Sequence, residues 1–458
     1  MNLTVFPRKL VTKARDFVVD FAGVIPVGVT LVSSMAVLTV YRGTDTAVSS
    51  MLSGAVRVVG TQATQTLIGG VAGVEYVLSI IGTLSNGGVR IKTGYLYVTD
   101  VVQVSTRYPA VRYAVFTDAG VLKLKAKYFS VPAVKVLLDK VSVLAKASLS
   151  TAPSPLSVMD IEGNLHSSDA VVVNTDMDVL IACGLQYRFT NATQYLNQAT
   201  RYLTAWASTY VPIGNPITEE VFYKLVAGYD LVKDSVTAAQ RTVIESFMDR
   251  LFSTAQTFIS LRDPVLSHSN FESRNLMLMT AIAYAQGDSS KQAYCLNLYT
   301  SQVDLNILAA GTIATSIPYA VGAAPGGMLN NPVVKGSTFD FYHRDAVEYH
   351  DASIGGLLLA AIVALNNGVN WYGIVSGQGK RLEDGISFAL PYATGAQTHI
   401  DFVNSLVQPF DAGRVATFDP VNARNVISLA AMVNSTYVGR FDVSTLPLWE
   451  QLLYWSVV

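Results

Sequence analysis

The chain runs in two hydrophobic rhythms. Up to about residue 105, apolar residues come in short runs broken by glycine turns, as in "MAVLTVYRG", "VRVVGTQATQTLIGG" and "VEYVLSIIGTLSNGGVRIKTGYLYV". Runs rich in Val, Ile, Thr and Tyr bounded by Gly predict strands. Asn86-Gly87 predicts a hairpin with a type I′ turn, because both central positions need positive φ. Residues 21–41, "FAGVIPVGVTLVSSMAVLTVY", carry no charge. Pro26, Gly23, Gly28 and the hydroxyl residues argue against a membrane-spanning helix and for two strands around a turn at "IPVG". Strands at this spacing predict a β-sandwich over residues 1–105.

After residue 115 the period switches to about 3.6 residues. "TAAQRTVIESFMDRLFSTAQTFIS" puts Val243, Ile244, Phe247, Met248, Leu251, Phe252, Ala255 and Phe258 on one stripe. Thr237 and Gln240 read as its capping box. "ATQYLNQATRYLTAWAS", "TEEVFYKLVAGYDLVKDS", "NFESRNLMLMTAIAYAQGD", "ASIGGLLLAAIVALNNG" and "QTHIDFVNSLV" repeat the pattern. Gly287 and Gly368 stand where helices end. Weak strand signals arise only near 310–320, and "STAPSPLSVMDIEGN" (150–164) reads as a long loop. Successive helical hairpins over residues 106–458 predict an all-α (α/α) toroid or incomplete barrel with a cleft at one rim.

Composition narrows the roles. Half the residues are hydrophobic, 14% are charged, and the net charge is -1. Large buried cores follow; a nucleic-acid role does not, since no basic excess is available for phosphates. Cys183 and Cys295 lie outside any metal-ligand spacing and read as small core residues. No metal and no cofactor are expected. The first twenty residues mix charges without an apolar core, so no signal peptide is expected there. A destination outside the cell then calls for another export route, such as host-cell lysis.

Chemistry concentrates at residues 341–353, "FYHRDAVEYHDAS". Two of the five histidines, His343 and His350, stand there beside Tyr342, Arg344, Asp345, Glu348, Tyr349 and Asp351. A second cluster is "SHSNFESR", with His268, Asn270 and Arg274. Both fall at predicted helix starts. Bland roles stand beside the functional ones: Asn270 as a helix cap, Tyr349 as a packed ring, Arg344 as a local partner of Asp345 or Glu348. Trp206, Trp371 and Tyr372 suit either sugar stacking or the core.

The helical part resembles the alginate-lyase-type polysaccharide lyases over roughly residues 115–450. "ATQYLNQATRYLTAWA" with "PITEEVFYKLVAGYDLV", then "SHSNFESRNLMLMTAIAYAQGD", "DFYHRDAVEYHDASIGGLLLAAIVALNNGVNWYG" and "LPYATGAQTHIDFVNSLV", carry the resemblance in order. It implies β-elimination on an acidic polysaccharide. Asn270 would neutralise the uronate carboxylate and Tyr349 would be the acid, while the base role stays open between Tyr349 and His268, the latter serving otherwise as a second donor. Arg344 and His350 would supply the cationic field a basic tyrosine needs. His343, His350, Arg274, Tyr187, Tyr342 and His399 would contact substrate. Family members place Asn directly before His, whereas this chain reads His268-Ser269-Asn270. Their arginine stands seven residues before the tyrosine, where this chain has Tyr342.

The first hundred residues resemble the small Ig-like fibre–tail adaptor domains of tailed phages, through "FVVDFAGVIPVGVTL", "YRGTDTAVSSMLSG" and "IGGVAGVEYVLSIIGTLSNG". That implies an Ig-like sandwich docking on other tail proteins, an oligomer in the virion, and action at the bacterial surface. Two further readings stay open at this point. One is a non-catalytic receptor-binding fibre on a lyase scaffold. The other is a hydrolase using Asp176 and Asp178, or Asp345 and Glu348.

Overall fold

The computed structural model describes residues 4–5, 9–10, 14–42, 44–71, 74–99, 113–159, 161, 167–261, 269–310, 332–406 and 411–458. His268 and nearly all of the expected strand region near 310–320 lie outside them. The chain divides into two compact units, Met1–Tyr108 and Pro109–Val458.

The first unit holds β1 (Thr4–Val5), β2 (Lys9–Leu10), β3 (Arg15–Asp20), β4 (Leu31–Arg42), β5 (Leu52–Val59), β6 (Gln62–Leu67), β7 (Glu75–Leu84) and β8 (Val89–Thr99). One sheet runs β1-β8-β7-β4, with β2 also on β8; the other runs β3-β6-β5. Alternation drives the layering: β6 buries every second residue. Phe17, Leu67, Leu38, Tyr76, Leu78 and Val98 draw both sheets onto one core. The β7–β8 hairpin forms, but not with a type I′ turn. Only Gly87 has positive φ (77°), Gly87 N–H donates to Leu84 O (2.9 Å) and Leu84 N–H to Gly88 O (2.8 Å). That is a turn closed by a left-handed glycine and a bulge. Of the two strands expected in 21–41 only β4 forms. Before it come a 3-10 turn at Ala22–Val24 and a reversal at Gly28, φ 79°.

The second unit contains α1 (Asp118–Lys127), α2 (Pro132–Ser148), α3 (Ser168–Thr190), α4 (Thr193–Thr209), α5 (Pro216–Glu219), α6 (Phe222–Val232), α7 (Ala238–Leu261), α8 (Asn270–Gln286), α9 (Ser289–Leu305), α10 (Phe339–Arg344), α11 (Val347–Asn366), α12 (Leu382–Thr394), α13 (Pro420–Ala430) and α14 (Leu448–Val457). β9 (Ile400–Asp401) pairs antiparallel with β10 (Ala416–Thr417). The segment 397–407, expected as a helix, runs over its described residues, 397–406, through a strand and turns instead. Phe402 at φ 70° breaks any helical continuation. The capping box of α7 is present: Thr237 N–H donates to Gln240 Oε1 (3.0 Å) and Gln240 N–H to Thr237 Oγ1 (3.3 Å).

Burial sorts inner from outer helices. Every residue of α6 is buried, and α8 and α11 are buried nearly all round. α4 and α7 bury one face only. A helix apolar all round belongs in the interior. The inner helices run parallel. Gly184 of α3 packs on Leu231 of α6, and Gly228 of α6 packs on Leu180 of α3. Gly356 of α11 lies against the Ser273 backbone of α8. Arg274 of α8 pairs with Glu220 at the start of α6. α13 follows next to α11, and α14 touches both α13 and α3. The N-termini of α3, α6, α8 and α11 thus share one rim. At the opposite end the ring is tied shut. Ala114 and Val115 N–H groups donate to Asp230 Oδ2 (2.8 and 2.6 Å), and Asn366 Nδ2 donates to both their carbonyls (3.1 and 3.0 Å). Among the described residues, α11 alone has the length and apolar content of a membrane span, and most of it is packed inside this ring.

Candidate active site

The rim is built by capping bonds between distant segments. α10 and α11 meet at Asp345, in left-handed backbone at φ 48°. Asn404 N–H donates to Asp345 Oδ2 (2.7 Å), and His399 Nε2 lies 3.1 Å from Asp345 Oδ1. Asp401 then accepts the N–H groups of Val347 (3.0 Å) and Glu348 (3.2 Å), the open donors of the α11 N-terminus. Asp340 accepts from Asn270 N–H (2.6 Å) and from Ser353 Oγ (2.7 Å). One carboxylate so fastens the start of α8 to the second turn of α11. A carboxylate at these positive helix ends is favoured on charge as well.

Tyr349 stands on the first turn of α11 between two guanidinium groups. Arg414 Nη1 donates to its hydroxyl oxygen at 2.7 Å. The Arg344 guanidinium carbon is 4.1 Å from its ring centroid. Asp411 orients both. It accepts from Arg344 Nε (2.6 Å) and Nη2 (2.5 Å), while Arg414 Nη1 lies 3.5 Å from it. Ser405 Oγ adds a bond at 2.5 Å. Burial pushes the Asp411 carboxyl upward, but the bonds from Arg344 and Ser405 and the Arg414 charge hold it below its ordinary value. Phe402 lies under Arg414 at 4.3 Å and meets the Tyr349 ring edge-on at 5.8 Å.

Asn270 faces the same rim from α8. Ser269 is the N-cap residue, so the Asn270 side chain is not spent on capping. It is 2% exposed, and its amide makes no hydrogen bond among the described residues. Helical periodicity puts Asn270, Arg274 and Met277 on one stripe. Below the rim, Arg274 and Met277 join Ala352, Gly355 and Leu359 of α11 around a cavity of about 390 Å³.

Other expected contacts are engaged by structural partners. His350 is fully buried, its Nε2–H donating to Gly385 O at 3.1 Å and its ring 4.6 Å from Phe388. Burial pushes it down to about 3, so it is a neutral core residue, with no charge to offer Tyr349. Its neighbour Tyr349 projects about 100° away on the helix. His343 stacks on Phe339 at 5.1 Å, and burial, helped by Arg344, pushes it down to about 4. Tyr342 is buried: its hydroxyl accepts from Val334 N–H (2.8 Å) and donates to Pro332 O (3.2 Å). His399 clamps Asp345 where α10 meets α11. Tyr187 sits on the last turn of α3, bonded to Ser235 (2.7 Å), at the far end of the ring. Trp206 and Trp371 are core residues, and Cys183 and Cys295 are buried and free.

The carboxylates considered for hydrolysis have other partners. Asp176 is occupied by Ser154 N–H and Trp206 Nε1 (both 2.8 Å), and Asp178 by Lys224 (2.8 Å). Asp345 is held by Asn404 and His399. No group of three or more His, Cys, Asp or Glu suited to a metal occurs among the described residues. Arg414 and Asp411 were not singled out from sequence. They lie in an aperiodic loop more than sixty residues after Tyr349, and nothing local marks them.

The second unit is thus an α/α ring that carries a tyrosine, an amide and clamped arginines at one rim, above a cavity with a mostly apolar wall. The family model for alginate lyase matches residues 150–399, more than half of the chain, and the chain belongs to that family. Similar solved structures include alginate lyase A1-III from Sphingomonas species A1 (14% identity, TM-score 0.43, 74% of this chain and 93% of that one). A histidine-to-alanine variant of alginate lyase A1-III complexed with tetrasaccharide has 15% identity and a TM-score of 0.44, over 63% of this chain and 80% of that one. A tyrosine-to-phenylalanine variant with tetrasaccharide has 14% identity and a TM-score of 0.40, over 63% and 81%. No curated protein matches.

Proposed function

We propose that this protein is a polysaccharide lyase that cleaves a uronic-acid-containing glycan by β-elimination, with Tyr349 as its acid and base. The observation that carries this reading is the 2.7 Å bond from Arg414 to the Tyr349 hydroxyl, at the start of the inner helix next to Asn270. In this mechanism the Asn270 amide, with His268, donates to the uronate carboxylate and stabilises the charge that spreads into it. Tyr349 removes the C5 proton. The C5–H electrons form the C4–C5 double bond, the C4–O bond breaks, and the proton passes to the leaving glycosidic oxygen. Negative charge on the Tyr349 oxygen would meet Arg414 directly and Arg344 through the ring face. Arg344 acts here as a positioning group, because Asp411 holds both its bonding edges.

Mass spectrometry of the products tests the reaction class. Elimination yields fragments lighter by one water than those of hydrolysis. Hydrolytic masses from a polyuronate panel overturn the reading. We place the N-terminal β unit as the part that docks in several copies on a phage tail, so that the lyase meets glycan on the bacterial surface. The strand resemblance of residues 1–105 supports this. Immunogold labelling of virions is its test; label absent from tails refutes it.

A further inference from the structure

The cavity below the rim is lined as a binding site and closed at its far end. Met277, Leu359 and Leu429 contribute to its wall. Beyond them the C-terminal ends of α6 and α11 are bridged by the bonds of Ala114 and Val115. Two neighbouring glycines on α11 play different parts. A Cβ on Gly356 would come within 2.8 Å of the Ser273 carbonyl oxygen, so close helix packing requires that glycine. A Cβ on Gly355 would meet nothing within 4 Å. Among the described residues that glycine packs against nothing, and its space is left to the cavity.

The polar groups suit a charged sugar. Lys224 Nζ donates to Asn174 (2.9 Å) and Asp178 (2.8 Å), leaving one of its three N–H bonds over. Arg274 pairs with Glu220, yet among the described residues its buried Nε has no acceptor. The Tyr223 hydroxyl is likewise buried, with no partner among the described residues. The Tyr223 ring lies 5.2 Å from Trp449, giving an aromatic side. Glu450 lines the cavity with no hydrogen bond or ion pair among the described residues. Burial pushes its carboxyl up to about 7, against the pull of Lys224. It can therefore enter a complex protonated and donate to an anionic ligand. Unspent donors beside an aromatic surface are what a small polar ligand uses for orientation.

We propose that this cavity is a blind subsite for the terminal uronate of a glycan chain, one turn below Tyr349 and Asn270, so that short saccharides are released from a chain end. The release step rests on the lyase reading of the rim; the binding does not. The test is calorimetric titration with D-mannuronate and D-glucuronate, with chromatography of products from a polyuronate. Wild type binds at least one monosaccharide, and Tyr349→Phe binds it equally. Gly355→Leu fills the cavity and weakens binding by about tenfold or more at an unchanged melting temperature. Glu450→Gln, isosteric, shifts affinity and flattens its dependence on pH around neutrality, which keeps the test decisive should the leucine variant fail to fold. Early products of the wild type are short. Wild type that binds neither monosaccharide overturns the subsite, as does folded Gly355→Leu that binds normally. A ladder of long early products overturns chain-end release while leaving the lyase intact. Binding without elimination supports the subsite and rejects the lyase.

Discussion

Replacing Arg414 by methionine probes the link between Tyr349 and its charge partner. Methionine keeps an apolar stem over Phe402 and removes the 2.7 Å donor. Bonds to charged groups are worth about 1.5–3 kcal/mol. Loss of one preorganised donor at a developing charge costs about 10²–10³ in kcat, or about 2.7–4 kcal/mol. The structural cost is small by comparison. Arg414 is a third exposed, and its distances to Glu348 and Asp411 are both 3.5 Å. Such pairs contribute about 0–1 kcal/mol, and Asp411 keeps Arg344 and Ser405. Initial rates from the ultraviolet absorbance of unsaturated product, with melting followed by circular dichroism, separate the two. The expected result is a fall in kcat of about 10²-fold with KM and melting little changed. Arg414→Lys, which keeps the charge, recovers part of the rate. Wild-type kcat in Arg414→Met, or a loss confined to KM, refutes the reasoning.

Three other outcomes follow from the packing. Asp411→Asn leaves buried Arg344 without its carboxylate and should cost about 3–5 kcal/mol in denaturant unfolding; an unchanged midpoint would contradict the hub role. Gly356→Ala drives a methyl against Ser273 and should lose about 1–3 kcal/mol, whereas Gly355→Ala should lose none. His350 titrates near 3 in the fold against an ordinary 6.5. Its folded value is the lower, so the unfolded chain binds the extra proton between those values, and stability falls as pH drops through that window. His350→Leu should flatten that acid loss while retaining activity. Equal acid sensitivity in the variant would mean that the ring is not held neutral.

What was legible in the sequence was mostly periodic. The α7 stripe and its capping box follow from spacing, except that Val243 is turned out to solvent, and helices start at Asn270 and two residues before Tyr349. Side-chain direction at a helix start did not. Tyr349 and His350 are adjacent, and only packing against Gly385 and Phe388 shows which of them is turned into the core. The bonds that assemble the rim join residues far apart in the chain: Asp340 to Asn270, Asp401 to Val347, Arg414 to Tyr349. None has a local signature. The "QTHIDFV" stretch matched a helical stripe, but pairing of β9 with β10 and the Asp345 clamp overrode that propensity.

The most direct test of the central claim is an ultraviolet progress curve on alginate and other acidic bacterial polysaccharides, with wild type and Tyr349→Phe side by side. The phenylalanine variant keeps the ring between Arg344 and Phe402 and removes only the oxygen that Arg414 holds. A rising trace with wild type that is flat in folded Tyr349→Phe is the predicted result. Equal traces from both proteins, or no rise on any uronate glycan, would contradict the assignment of Tyr349 as the group that moves the proton.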